Sequence, residues 1–323
     1  MASNNMSPLR NFLNSIKSSV YNISIDGIGN TDINATELFR SFPSIYRITS
    51  LNDMNYVTNM HRIFCLSNKL ISIPNYNFNT SNVINMRQMF WDCDNLTTVP
   101  NFDTSNVTDM YGMFDGCENL TSIPNFDTSN VTNMHSMLSS CNNITTVPNF
   151  NTSKVTDMAQ MFYMRRIKTV PNFDTSNVTN MYWMFAYAFN LINIPNFNTS
   201  KVKDMGYMFY QSGRLKDIPN FDMSNVTKME SMFERTAIIN LPVFNWSKVT
   251  NMTEAFITST SFSQASVNNI VTSCSTATKV TNKNWTNIGF NVAAGSKWNT
   301  WIRTAPDYMN AVNIGWQNIG DAI

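Results

Sequence analysis

The chain has 323 residues, 43% of them hydrophobic, enough to bury a sizeable core. Charged residues are only 13% and the formal net charge is +1, so there is no basic stripe and no nucleic-acid partner is expected. No run approaches the ~20 apolar residues of a membrane span, so membrane insertion is not expected either.

In chain order, residues 1–30 come first. Ser7 and Pro8 make a helix start signal, an N-cap followed by proline at the first helical position. Leu9, Phe12, Leu13, Ile16 and Val20 then fall on one helical face. Two readings are open: the helix caps the residues after it, or it docks the protein to a partner or to another copy. Met1–Val20 contains no apolar run that could serve as a signal-peptide core.

Residues 31–256 are governed by a repeat of about 24 residues. Its valine recurs at Val57, Val83, Val107, Val131, Val155, Val178, Val202, Val226 and Val249. A proline keeps time with it, from Pro74 and Pro100 to Pro242. Such a period means stacked supersecondary units, none able to bury its apolar face alone. The spacing Met110, Met113, Phe114, Cys117 is i, i+3, i+4, i+7 and predicts a short helix. Leu120–Ile123, stopped by Pro124, predicts a short strand, with a second one after Val131. Asn125–Asn130 is turn chemistry with Phe126 tucked inward. The expected fold is an α/β solenoid of about nine to ten coils, one short strand and one short helix per coil. Residues 31–50 match the spacing in degraded form (Leu38, Phe39, Ile45, Ile48) and are expected to be a cap coil.

The turns carry Asp127, Lys154, Asp174, Lys201, Asp222 and Lys248, alternating in sign from coil to coil. This predicts favourable charge neighbours if the coils stack in sequence order. Asn makes up about 15% of the chain and sits mostly at fixed turn positions. Cys93, Cys117 and Cys141 share one repeat position, which suits buried thiols and also lies within disulfide reach, so their redox state stays open.

Residues 257–323 leave the repeat and carry Trp285, Trp298, Trp301 and Trp316. Helices are expected around 264–273, 296–303 and 307–313, forming a small C-terminal cap.

Residues 101–124, NFDTSNVTDMYGMFDGCENLTSIP, closely resemble the BspA-like leucine-rich-repeat family. The likeness spans residues 51–256, and the tail resembles the C-terminal segment of some members. That family occurs in bacterial surface proteins, protists, phages and prophages. The resemblance implies a right-handed, leucine-rich-repeat-like solenoid and a role in adhesion or recognition, and the chain reads as a phage or prophage member.

No catalytic grouping is evident. His61 and His135 lie in non-adjacent coils without a Cys or acidic cluster, and no glycine-rich phosphate loop is present. No enzyme activity, cofactor or metal is therefore expected. Positions between the repeated methionines and after the phenylalanine are free to vary, and there the chain places Tyr163, Tyr182, Trp183, Tyr187, Tyr207 and Tyr210. Tyr and Trp join a large apolar face to a polar edge, which suits stacking on glycans or anchoring on proteins. For Arg165 and Arg166, nearby in sequence, two readings are open: they favour an acidic ligand, or they are simply solvated. The expected function is a phage tail, fibre or appendage protein. Its N-terminal segment would contact other virion proteins and its solenoid a host surface glycan or protein. A cell-surface adhesin and a protein-binding scaffold are the alternatives, and homo-oligomerisation is open.

Overall fold

Backbone hydrogen bonding explains why the sequence must repeat. The computed structural model describes residues 11, 22–25, 33–42, 44–51, 54–73, 78–290 and 296–317. Leu9, Phe12, Leu13, Ile16 and Val20 of the expected docking helix lie outside them. The chain divides into two compact units, Met1–Ile167 and Lys168–Ile323.

The first unit opens with two parallel pairs. β1 (Asn22–Ile25) pairs with β3 (Arg47–Leu51), and β2 (Ile33–Asn34) with β4 (Val57–Asn59). A 3-10 turn, Met54–Tyr56, leads into β4. Beyond it the sheet shrinks to isolated bridges, joining Asn59 to Asn85, Asp109, Asn133 and Asp157 in turn, with a second bridge between Ser72 and Thr98.

The short helix expected over Met110–Cys117 is absent, and no described residue between 57 and 258 is α-helical. Consecutive tight turns take its place. The N–H groups of Met113, Asp115 and Cys117 turn back onto the carbonyls of Met110, Gly112 and Phe114, at 3.0–3.2 Å. The intervening N–H groups, of Met110, Gly112, Phe114 and Gly116, donate to Asn133, His135, Met137 and Ser139 of the next coil. The Tyr111 N–H is taken by Asp109 Oδ1 at 2.9 Å. Every backbone donor from 110 to 117 thus has a partner, as a packed segment requires. An α-helix would have spent those donors within itself and left the next coil unattached. Four-residue turns also bring i and i+3 to one side, so the methionine and phenylalanine spacing is the same for both structures.

These turns need a left-handed backbone at every fourth residue. Gly112 (φ 55°) and Gly116 (φ 79°) supply it without a Cβ penalty. Other coils place Ser136, Ser140, Gln88 and Asp92 there instead, at a cost of ~1 kcal/mol each.

The Thr-Ser-Asn phrase has equally definite work. Asp103 Oδ1 accepts from the Ser105 N–H at 3.1 Å. The buried Thr104 hydroxyl donates to the Asp127 carbonyl of the next coil, and Asn106 Nδ2 to the Ser81 carbonyl of the preceding one. Inside, Val107, Met110, Met113, Phe114, Cys117 and Leu120 are fully buried. Phe39, Phe64, Phe90 and Phe114 form a stack with ring centroids 5.4–5.6 Å apart. Each such ring contributes about 2 kcal/mol of burial.

The second unit uses the same coil plan. Phe185, Phe209, Phe233 and Phe256 stack at 5.6–6.0 Å, and Asn180, Asp204, Lys228 and Asn251 bridge in turn. Its last coil is closed by helices: α1 (Gln264–Cys274), α2 (Lys297–Arg303) and α3 (Tyr308–Asn313), the latter two packed on α1. Ser263 and Ser296 cap the first two through their side chains. Hydroxyls of Ser266, Ser273 and Thr276 accept from the N–H groups of Leu241, Phe244 and Trp246 at 2.8 Å each. The carbonyls of Asn287 and Ile288 take the last turn donors, Glu254 and Phe256. Trp285 and Trp316 lie 4.8 Å apart, and Trp316 Nε1 donates to the Cys274 carbonyl.

The alternating lysines reach amides rather than the aspartates expected. Lys154, Lys201 and Lys248 each donate to an Asn carboxamide one coil back, Asn130, Asn177 and Asn225. Asp127, Asp174 and Asp222 turn to the serine two residues on, and those bonds hold their carboxyls below the usual range.

Candidate functional site

Superposing the copies within one chain separates constant from variable positions. The residue after the first methionine runs His61, Arg87, Tyr111, His135 and Ala159, then Tyr182, Gly206 and Glu230. The next runs Arg62, Gln88, Gly112, Ser136 and Gln160, then Trp183, Tyr207 and Ser231. These positions all lie on the tight turns, while the Thr-Ser and Val positions on the opposite side hardly change.

In the second unit five of the six predicted rings come together. Trp183 and Tyr207 lie 4.9 Å apart with planes 32° apart. Tyr182 meets Tyr207 edge-on at 5.8 Å, and Tyr210 lies 5.8 Å from Trp183. Tyr187 sits 5.3 Å from Tyr210. All five are half-buried. Trp183, Tyr187 and Tyr207 occupy left-handed positions, φ 56–58°, where bulky residues are outliers. Tyr163 belongs to the first unit and is half-buried there.

Three neighbours escaped the sequence reading. Phe189, 39% exposed, meets Tyr187 edge-on at 6.0 Å and extends the cluster. Gly206 leaves a notch: a Cβ there would stand 2.9 Å from the Glu230 side chain and 3.2 Å from the Tyr182 ring. Glu230 lies beside it, its Oε2 buried without a hydrogen-bond partner and its pKa raised, chiefly by burial. A lone glycine at a column otherwise rich in large side chains was the available signal.

The first unit's turn face is polar and paired. The Arg87 guanidinium lies 3.7 Å over the Tyr111 ring, and the His135 ring, tilted by 31°, lies 4.9 Å from it. Arg87 faces Asp109 at 3.9 Å and His135 faces Asp157 at 3.4 Å. Among the described residues no group of His, Cys, Asp and Glu is placed to hold a metal.

A groove of about 700 Å³ runs along the constant side, lined by Asn82, Asn106, Thr108 and Asn130 among others. It is a structural rail rather than a site, because its amides and hydroxyls are committed to neighbouring coils.

The repeat is also found in other proteins. A family described as "Mycoplasma protein of unknown function" (DUF285) matches residues 33–147, 94–166 and 164–270. This chain belongs to that family. Among solved structures, the DUF285 chain is similar to a leucine-rich repeat protein from Bacteroides ovatus, with 12% identity and a TM-score of 0.26, over 75% of this chain and 82% of that one. No curated protein sequence matches it. The family match accords with a BspA-like leucine-rich repeat.

The five cysteines of this DUF285 protein are free and buried. Cys93, Cys117 and Cys141 donate their S–H to the carbonyls of Phe64, Phe90 and Phe114, one coil back, at 3.0–3.1 Å. Ser67 and Ser212 make the same bond at the equivalent place. These three thiols are therefore rungs between coils; burial pushes their pKa values up, and that of Cys65 to about 11. No helix among the described residues is long and apolar enough to cross a membrane.

Proposed function

We propose that this protein is a non-catalytic recognition protein that grips its target with the aromatic cluster Tyr182, Trp183, Tyr187, Tyr207 and Tyr210. One observation carries the reading: the coils vary along their turns, and there the second unit gathers five rings. Three of these occupy left-handed turn positions, which residues such as Arg62, Gln88, Gly112 and Ser136 fill in other coils. Their large apolar faces with polar edges support a binding role. A host surface glycan or protein is the proposed target, and a phage virion appendage the proposed location, with Leu9, Phe12, Leu13, Ile16 and Val20 docking it to other virion proteins. The adhesin-type repeat supports this reading.

Trp183→Ser, Tyr207→Ser and Tyr182→Ala combined should abolish binding to host cells while the thermal transition stays cooperative, because Ser136 and Ser231 occupy the equivalent left-handed position. Unchanged binding would remove the cluster from the mechanism. Quantitative mass spectrometry of purified virus particles, against envelope and cytosol fractions of the source culture, decides the location. Enrichment in the envelope would replace the virion with a cell-surface adhesin.

A further inference from the structure

The first unit departs from its own repeat at one corner. Where the chain leaves the turns, successive coils place Asp94-Asn95, Glu118-Asn119 and Asn142-Asn143, and then Arg165-Arg166. The segment Met161–Ile167 is one residue shorter than its counterparts, and this corner bends at the two arginines. Charge therefore changes along the corner from acidic through neutral to basic.

The second residue of each pair forms a rail. Asn119 Nδ2 donates to Asn95 Oδ1 at 3.3 Å, Asn143 Nδ2 to Asn119 Oδ1 at 3.5 Å, and Arg166 Nη1 to Asn143 Oδ1 at 3.0 Å. The Arg166 guanidinium is thereby held with its remaining donors available. The Arg165 N–H bonds to Asn142 Oδ1 at 3.2 Å, which fixes the bend. Turn-face arginines elsewhere have carboxylate neighbours: Arg40 and Arg62 face Glu37, Arg87 faces Asp109, and Arg235 faces Glu234. Among the described residues, neither Arg165 nor Arg166 has a carboxylate within 4.0 Å. Together with Glu118, Asn119, Asn142 and Asn143 they line a pocket of about 340 Å³.

We infer that this pocket binds a carboxylate-bearing sugar. Two arginines line the pocket, and a guanidinium can hold a carboxylate in bidentate fashion. Carboxamides both donate and accept, as ring hydroxyls do: Asn142 keeps its Nδ2 for a ligand, and Asn119 and Asn143 each keep one N–H beyond the rail. Glu118 at the far side accepts a further hydroxyl and repels a second negative charge, which disfavours phosphate dianions and polyanions. The volume is that of a small-molecule site. This inference does not depend on the aromatic cluster, which lies in the other unit.

The test is saturation-transfer NMR on the full chain with glucuronic acid, glucose, glutamate and inorganic phosphate as separate probes. Glucuronic acid should bind saturably below about 20 mM and glucose should not. Arg165→Gln with Arg166→Gln should weaken glucuronic acid at least about tenfold with an unchanged melting curve. Should that variant fail to fold, Arg165→Lys with Arg166→Lys keeps the charge and removes the planar fork, and it too should lose affinity. The Trp183→Ser and Tyr207→Ser variants should bind glucuronic acid normally. Absence of binding, binding indifferent to the arginines, or tighter binding of phosphate or glutamate would each overturn the assignment.

Discussion

At the residue scale, Asp115 is the most perturbed carboxyl in the turns. Burial raises its pKa from 3.8 to about 6, against the lowering effect of a hydrogen bond from Ser139, with Asp92 adding to the rise. The folded protein therefore holds this proton more tightly than the unfolded chain. Stability associated with Asp115 is fully present below pH 3.8 and is lost as pH rises through about 6. Asp115→Asn should stabilise by about 1–2 kcal/mol at pH 7, after discounting for partial exposure, and by nothing measurable near pH 4. Urea denaturation at both values checks the sign. The thiols make a second residue-scale expectation. In the native protein none of the five should react with a thiol reagent within minutes, and all five should react in denaturant without added reductant. Fewer than five would mean that a disulfide forms. Cys117→Ser should be nearly neutral, because Ser67 and Ser212 already make the same rung, whereas Cys117→Ala loses it, at about 1 kcal/mol.

At the element scale the sequence was legible as a periodicity and misleading as a conformation. Met110, Met113, Phe114 and Cys117 marked the buried face correctly, yet the same spacing serves a helix and a pair of four-residue turns. Gly112 and Gly116, four apart in the middle of a supposed helix, were the sign against it. Beyond β4 the expected strands were present only as single bridges, because each coil spends its remaining donors on side chains such as Asp109 and Asp103. The charge alternation was real in sequence, but lysine reached asparagine instead of aspartate. The rings were identifiable as variable, exposed-side residues. Their convergence was not, since it depends on the register between coils, and Glu230 and Gly206 carry no motif. The turn conformation makes a testable pair. Gly116→Ala should destabilise by at least about 1 kcal/mol, since its φ is 79° and a Cβ would stand 2.2 Å from Asp92 Oδ1 and 3.1 Å from its Cα. Ser140→Gly, at the same place one coil on (φ 58°), should be neutral or stabilising. Paired melting curves compare them directly.

At the scale of the whole molecule, a coil is the smallest piece that can be removed. Deleting residues 101–124 returns every donor to an equivalent acceptor one coil further on, so a cooperative transition should survive. Deleting 101–112 joins a turn to the wrong register and should abolish it; circular dichroism with thermal melting separates the two. The family match covers most of the chain, and the repeat alone was sufficient to foresee it. What the repeat cannot encode is the ligand, because positions that identify a ligand are those that do not repeat.

Alternate donors along the turns point toward the following coil, and in the second unit the last of them end on the carbonyls of Asn287 and Ile288. In the language of polymers, each coil is a monomer with a reactive end, and the C-terminal cap is the chain terminator. A chain cut after Phe256 would carry a living end, with a row of free donors and an uncovered aromatic ring of the same pattern its own coils accept. It should elongate head to tail with other molecules, as concentration-dependent filaments visible by light scattering.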